Sequence, residues 1–289
     1  MTGILVVNKP MDYTSHDCIA ILKGITKEKK IGHTGTLDPN ATGVLPVCFG
    51  KATRLIEYME KSPKTYFCKA KFGISSDTDD IWGTITDNGL YAFPSQEQME
   101  AALKSFLGDI EQVPPMYSAV CVNGRRLYSY ARSGETVEVK PRKVRIFDIE
   151  MTGFYPCQNE IAFNVSCSRG TYIRSICHDL GDMFGCGAAM SMLVRKETSG
   201  FDISQAIDFE ELRKMNAEEI ESKLYPVERA ITDMPRIELE GKTAVMFRNG
   251  MTVISAGDDT AVSAVFIGDE LAGIASRENE RLKPIKVFN

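Results

Sequence analysis

Residues 32–46, with the sequence GHTGTLDPNATGVLP, constrain the fold more than any other part of the chain. The segment contains three glycines and two prolines, and its apolar residues follow neither the two-residue period of a strand nor the 3.6-residue period of a helix. It therefore predicts a long ordered loop. Loops of this length within a compact domain are commonly functional, and the apolar residues on both sides argue against disorder.

Two titratable side chains lie in this predicted loop, His33 and Asp38. Asp38 precedes Pro39, which disfavours helical backbone at the aspartate and favours an extended or turn conformation. The spacing alone leaves two interpretations open: a turn aspartate that hydrogen-bonds to its own backbone, or a carboxylate with a chemical role. The same alternatives apply to His33, either as a hydrogen-bond partner that orders the loop or as a ring that contacts a ligand.

Length and composition are typical of a soluble globular protein. The chain has 289 residues, enough for one large and one small domain, and 43% of them are hydrophobic. The N-terminus lacks the features of a secretory signal, and no apolar run is long enough to span a bilayer. The eight cysteines are scattered, which predicts reduced thiols in the cytoplasm rather than a zinc site or a disulfide framework.

The net charge of −5 hides an uneven distribution. Residues 1–72 carry 11 basic and 6 acidic side chains, and residues 120–200 carry 11 and 8. Acidic side chains predominate in residues 73–119 and 201–289. Because a local basic surface attracts a polyanion whatever the total charge, the sequence permits binding to nucleic acid without requiring it.

Hydrophobic periodicity and capping residues predict regular elements on both sides of the loop. The predicted elements are strands over residues 3–8, 64–72 and 161–167, and helices that begin after Thr14 or Ser15, after Ser95 and at residue 173. Two acidic segments around 205–224 are also expected to be helical. Beyond a proline-flanked boundary at 226–235, four short strand-like runs predict a small β domain.

The loop sequence closely resembles the signature of the TruB family, the bacterial tRNA pseudouridine-55 synthases. Other parts of the chain resemble further motifs of that family in the same order: LVVNKP with TSHD before the loop, KTY with SDTDD after it, then QVPPMYSA and GTYIR. The resemblance covers essentially the whole chain.

The resemblance implies three catalytic residues, Asp38, Tyr66 and Arg174. In the family, the aspartate of the loop motif is the nucleophile, the tyrosine of KTY packs against the target base, and the arginine of GTYIR pairs with the aspartate. A carboxylate suits the role of the nucleophile because it needs no general base to react at pH 7. A nearby cation favours its ionised form.

Five further residues are expected to bind the substrate. A uridine in a folded RNA loop must be extruded before it reacts, and stacking on aromatic or imidazole rings offsets the cost of extrusion. His33 and Tyr172 are the candidates for this stacking. Leu193 and the Lys9-Pro10 pair are expected to line the pocket.

The implied fold belongs to the α/β class and is of the α+β type. Residues 1–228 would form a pseudouridine synthase catalytic domain, with a mixed, largely antiparallel sheet flanked by helices. A thumb-like insertion at about 124–145, the densest basic stretch of the chain, would grip the RNA. Residues 235–289 would form a small C-terminal β domain related to PUA modules.

An isomerisation of this kind neither gains nor loses atoms, so no cofactor and no metal are expected. The sequence accordingly contains no Walker loop, Gly-rich dinucleotide turn or metal-binding cluster. The expected partner is the T stem-loop of tRNA. No membrane and no obligatory protein partner are expected, and the protein should be a cytoplasmic monomer.

The chain departs from the family pattern at two positions. Cys121 replaces the usual lysine after Ser-Ala-x, and Val194 replaces one of two basic residues after Leu193, where Arg195 keeps the other. Both departures bear on RNA contacts rather than on the chemistry.

Two alternative functions remain open from the sequence. One is a guided rRNA enzyme that works within a ribonucleoprotein, although the extended basic tails usual in such enzymes are missing. The other is a tRNA-folding chaperone with secondary or lost catalysis. The sequence also leaves open whether Asp38 attacks the base or the sugar.

Overall fold

A computed structural model describes residues 1–59, 61–232 and 234–288. Within these ranges the strands are β1 (Gly3–Lys9), β2 (Ile31–His33), β3 (Thr42–Phe49), β4 (Lys64–Phe72), β5 (Ile74–Ser76), β6 (Ile85–Asp87), β7 (Gly108–Gln112), β8 (Cys121–Val122), β9 (Arg125–Arg126), β10 (Arg142–Tyr155), β11 (Glu160–Cys167), β12 (Ala188–Thr198), β13 (Phe201–Asp202), β14 (Ile207–Asp208), β15 (Arg236–Glu238), β16 (Val253–Ile254), β17 (Thr260–Ile267), β18 (Glu270–Glu278) and β19 (Arg281–Val287). The α-helices are α1 (Ser15–Thr26), α2 (Ile56–Met59), α3 (Gln96–Lys104), α4 (Leu127–Arg132), α5 (Ile173–Met183), α6 (Phe209–Leu212), α7 (Ala217–Ser222) and α8 (Gly241–Arg248).

A large mixed sheet forms the centre of the molecule. Its strand order is β14-β1-β3-β12-β4-β11-β10-β7, with β13 paired to β12 and β2 paired to β3. Most neighbours are antiparallel, and the parallel pairs are β1 with β14 and β3 with β12. A second sheet, in the order β15-β17-β18-β19-β16, contains the C-terminal strands. This mixed sheet with helices, followed by a separate β sheet, confirms the predicted α+β type.

Two apolar cores hold helices against the large sheet. Helix α5 buries Ile176, Cys177 and Leu180 against β4, β11 and β12, in a core that includes the completely buried ring of Phe163. Helix α1 packs on β1 and β3 through Cys18 and other apolar residues.

The sequence predicted several element boundaries correctly because capping residues mark them. Thr14 caps α1 and forms a capping box with Asp17, and Ser95 does the same with Gln98 at α3. Strand β4 alternates between buried and half-buried side chains, as predicted. The structure also contains α8, which the sequence analysis did not predict.

The predicted loop over residues 32–46 is shorter than expected. His33 ends β2 and Thr42 begins β3, so the irregular segment covers residues 34–41. Residues 43–49 of β3 are all buried, and a strand buried on both faces shows no alternation in its sequence. That lack of alternation is the physical reason the strand resembled a loop.

No helix in the described part of the chain is long and apolar enough to cross a membrane.

Candidate active site

The loop of residues 34–41 is anchored from below by helix α1. The buried Ser15 hydroxyl lies 3.0 Å from the amide nitrogen of Leu37, which donates to it, and 3.3 Å from the Leu37 carbonyl. Leu37 itself is buried, whereas the side chain of the next residue, Asp38, is 43% exposed. The amide of Ala41 donates to the Asp38 carbonyl at 3.1 Å and closes the turn. The backbone of Asp38 is therefore fixed while its carboxylate faces a cavity.

Lys9 supports the same loop from inside the protein. Its side chain is completely buried, and its ammonium donates to the carbonyls of Pro10 at 2.8 Å, Pro39 at 2.9 Å and Tyr13. Burial lowers the pKa of Lys9 to about 8. Because three acceptors need three N–H donors, the site is built for the ammonium form.

Arg174 forms an ion pair with the Asp38 carboxylate. Its Nη2 lies 3.1 Å from Asp38 Oδ2, and the arginine side chain is only 6% exposed. Two backbone carbonyls hold the guanidinium in place, Thr78 on Nη1 at 3.0 Å and Tyr117 on Nη2 at 3.0 Å. Arg174 is thus oriented by groups outside the Asp38 loop, and it presents a preformed charge to the carboxylate.

Two adjoining cavities, of about 320 Å³ and 110 Å³, open above Asp38. Both are lined by Asp38, Tyr66, Tyr172 and Arg174. Leu193 lines the smaller cavity, together with other apolar side chains. The structure therefore brings five residues that the sequence predicted together around these two adjoining cavities: Asp38, Tyr66, Tyr172, Arg174 and Leu193.

The larger cavity is strongly basic. Among the described residues that line it, Asp38 is the one acid, and the basic ones are Lys64, Arg169, Arg174 and Arg195. A positive potential around a single carboxylate favours an anionic ligand such as a nucleotide.

Tyr66 forms the floor of both cavities. Its side chain comes from β4, is 8% exposed, and presents its ring beside the Asp38 loop. Burial raises the pKa of the Tyr66 hydroxyl, and the Arg195 guanidinium beside it opposes that rise. A ring held in this way offers a flat surface on which a base can stack.

His33, Lys9 and Pro10 are placed differently from the other predicted residues. Among the residues that the structure describes, none of these three lines either cavity. The His33 ring packs edge to face on His16 at 5.5 Å, and burial lowers the pKa of His33 to about 4, so the ring is neutral near pH 7. The ammonium of Lys9 is instead bound to three backbone carbonyls, one of them that of Pro39 in the Asp38 loop, and the expected place of Lys9 in the pocket wall stays a prediction.

Two further residues shape the site, and the sequence analysis assigned neither of them such a role. The Gln112 side chain pairs with the backbone of Tyr172, and Arg195 is completely buried with its guanidinium against the loop. The sequence analysis noted Arg195 only as the basic residue that the family pattern shares, and the structure buries its side chain in the wall of the larger cavity. In the sequence, only the QVPPMYSA motif indicated that Gln112 could matter, because Gln112 and Tyr172 are 60 positions apart.

The two departures from the family pattern lie away from Asp38. Cys121 is exposed on β8, where it pairs with Arg126, and Val194 lies on β12 opposite Phe67. Neither residue lines the two cavities described here.

Residues 23–173 match the description "TruB family pseudouridylate synthase (N terminal domain)", and residues 174–232 match "tRNA pseudouridylate synthase B C-terminal domain". The chain belongs to the TruB family of pseudouridylate synthases. The tRNA pseudouridine synthase B of Streptococcus mutans is 41% identical over 100% of this chain and 99% of the relative. That of Halalkalibacterium halodurans is 43% identical over 86% of this chain and 84% of the relative.

The TruB fold of this chain is also found in solved ribonucleoproteins. A chain of an H/ACA RNP bound to a substrate RNA containing 2′-deoxyuridine matches with a TM-score of 0.75 and 22% identity, over 99% of this chain and 85% of the other. A chain of a Cbf5-Nop10-Gar1 complex matches with a TM-score of 0.74 and 24% identity, over 99% and 84%. At this identity the likeness concerns the fold.

Proposed function

We propose that this protein isomerises uridine 55 in the T loop of tRNA to pseudouridine, with Asp38 as the nucleophile. The observation that carries the proposal is the contact of 3.1 Å between the Asp38 carboxylate and Arg174, at the floor of a basic cavity. The relatives described above bear the name tRNA pseudouridine synthase B, which supports tRNA as the substrate.

The reaction exchanges one glycosidic bond of the nucleotide for another. The bond between C1′ and N1 breaks, a bond between C1′ and C5 forms, the C5 proton leaves, and N1 takes up a proton. The Asp38 carboxylate holds either the base or the sugar while the other turns, and Arg174 compensates the charge on that carboxylate. Tyr66 stacks on the uracil and assists loss of the C5 proton, directly or through water.

The dimensions of the site suit an extruded nucleotide. The smaller cavity, with Leu193 and Tyr172 in its walls, would receive the base, and the larger basic cavity would receive the sugar and phosphate. Stacking on Tyr66 would recover about 1–3 kcal/mol of the cost of extrusion.

The remaining roles complete the proposal. His33 would contact the RNA loop from which the uridine leaves, and Lys9 with Pro10 would hold the Asp38 loop beneath the pocket. The catalytic domain would comprise residues 1–228, including the thumb at about 124–145, and residues 235–289 would form the small PUA-like domain. The protein would act as a cytoplasmic monomer on free tRNA, with no cofactor and no partner protein.

A tritium-release assay tests the proposal. An unmodified tRNA transcript labelled at C5 of its uracils should release one equivalent of tritium, with the modified position mapped to the T loop, and Asp38→Asn should release none. Asp38→Asn should still bind tRNA, because the substitution removes one charge and keeps the shape of the side chain.

Other outcomes of the assay would favour the two alternatives. Tight tRNA binding without tritium release from the wild-type protein would favour a folding chaperone. Activity only in the presence of a guide RNA and accessory proteins would favour a ribonucleoprotein enzyme. Either result would reject the proposed reaction on free tRNA.

A further inference from the structure

Arg195 lies where the strands that carry the reacting groups meet. On β12 it is paired with Gly43 of β3, the strand that follows the Asp38 loop, and with Tyr66 of β4. A Cβ atom at Gly43 would overlap the Arg195 backbone, so the two strands approach closely here. No other position of the large sheet is paired with both the loop-bearing strand and Tyr66 in the described residues.

The Arg195 guanidinium connects the start of the Asp38 loop with β3, the strand that follows it. Its Nε donates to the Val44 carbonyl at 2.7 Å, and its Nη2 donates to the Gly35 carbonyl at 3.1 Å. Gly35 precedes Asp38 in the sequence and Val44 follows it. One rigid, planar group therefore fixes the separation between the start of the loop and the strand that follows it.

Arg195 is also the neighbour of Tyr66, its partner on β4. In the described part of the chain, Nη1 of Arg195 is buried without a hydrogen-bond partner, and the nearby guanidinium opposes the rise that burial causes in the pKa of Tyr66. Arg195 also lines the larger cavity together with Tyr66 and Asp38. The same residue thus binds the loop of the nucleophile and neighbours the ring that the base would stack on.

Packing alone does not account for an arginine at this position. Arg195 is completely buried, and no carboxylate of the described residues compensates its charge. Removing a cation from water is costly, and apolar residues of similar volume commonly replace buried charges without loss of stability. Only a guanidinium can donate to both loop-side carbonyls while it also lies beside Tyr66.

We propose that Arg195 is a positioning residue for the isomerisation. It holds the Asp38 loop and the Tyr66 ring in one fixed relationship, so that the carboxylate reaches the nucleotide while the base lies on the ring. Although Arg195 lies in the wall of the larger cavity, its side chain is completely buried, so it acts through these two groups rather than as a phosphate contact. This inference rests on the proposed use of Asp38 and Tyr66.

The test separates chemistry from binding. We would compare Arg195→Lys and Arg195→Met with the control Lys196→Met, which removes a charge from the next, exposed residue of β12. Rate constants would be measured in a single turnover at saturating enzyme, and tRNA affinity would be measured separately by filter binding. Thermal melting would report on folding.

The proposal predicts a loss of rate without a loss of affinity. Arg195→Met should reduce the single-turnover rate by about 100-fold, the size expected when reacting groups are misplaced by about 1 Å. Arg195→Lys should recover part of the rate, since it keeps the charge and loses the planar fork. The control should keep its rate, and tRNA affinity should change by less than about threefold in all three variants.

A double-mutant cycle examines the connection to Tyr66, and it remains informative if Arg195→Met fails to fold. If Arg195 acts by orienting this ring, the losses caused by Arg195→Lys and by Tyr66→Phe should not add in the double variant. Three results would overturn the proposal. They are full additivity of the two losses, a weakening of tRNA affinity that parallels the loss of rate, and a wild-type rate in Arg195→Lys. An active Asp38→Asn variant would instead reject the proposed function, whereas an inactive Asp38→Asn beside fully active Arg195 variants would reject this inference alone.

Discussion

The side-chain amide of Gln112 forms two hydrogen bonds with the backbone of Tyr172, as a neighbouring strand would. Its Nε2 donates to the Tyr172 carbonyl at 3.2 Å, and the Tyr172 amide donates to its Oε1 at 3.0 Å. Gln112 is 3% exposed, and Tyr172 is the N-cap residue of α5. This pair fixes the start of the helix that carries Arg174 in its first turn.

Replacing Gln112 should therefore disturb both stability and catalysis. Gln112→Leu keeps the volume but leaves the Tyr172 amide without its partner and the Tyr172 carbonyl with the longer bond from the Ile176 amide at 3.4 Å, so the free energy of unfolding should fall by about 1–3 kcal/mol. The reaction rate should fall because α5 starts less rigidly. Urea denaturation and tritium release would measure the two effects. The exposed neighbour Glu111, changed to Gln, is the matched control, and equal effects at both positions would contradict this role.

Arg174→Lys should abolish most activity although it keeps the charge. The guanidinium of Arg174 contacts Asp38 and the carbonyls of Thr78 and Tyr117 simultaneously. A lysine ammonium is a single point that cannot reach all three groups from one position. We expect the single-turnover rate to fall by at least about 100-fold, with tRNA affinity nearly unchanged. Near wild-type turnover in Arg174→Lys would show that the orientation of the cation is unimportant.

His178 should make stability depend on pH in the alkaline range. Hydrogen bonding to Asp79 at 3.1 Å raises the pKa of His178 to about 9, despite partial burial, and Asp182 and Asp179 add to the effect. A raised pKa in the folded state contributes stability that is fully present below pH 6.5 and is lost as the pH rises through about 9. The difference in melting temperature between wild type and His178→Gln should thus be largest near pH 6 and nearly vanish by pH 10. A difference that stays constant over this range would exclude the ion pair as its cause.

Lys9→Met should destabilise the loop from beneath. The substitution retains the volume of the side chain but leaves the carbonyls of Pro10, Tyr13 and Pro39 without a donor in a buried site. The free energy of unfolding should fall by about 3–5 kcal/mol, as when one partner of a buried polar group is removed. Guanidinium denaturation would measure the loss, with the exposed Lys29→Met as control. An unchanged midpoint in Lys9→Met would show that the ammonium does not support the loop.

Local signals allowed much of the fold to be predicted. The capping residues Thr14 and Ser95 marked the starts of two helices, and the alternation of residues 64–72 marked β4. Strand β3 escaped prediction because burial on both faces removes alternation. Helix α8 was also missed. Sequence patterns report the difference between two faces of an element, so elements without such a difference are not visible to them.

The sequence by itself determined which groups are available for chemistry: the carboxylate of Asp38, the Tyr66 ring and the cation of Arg174, each within a family motif. The tertiary structure decided how they are held. Arg195 reaches Gly35 across 160 positions of the chain, and Gln112 reaches Tyr172 across 60. Buried polar groups must find partners wherever the fold brings a donor and an acceptor together, so these contacts leave no periodic or local trace in the sequence.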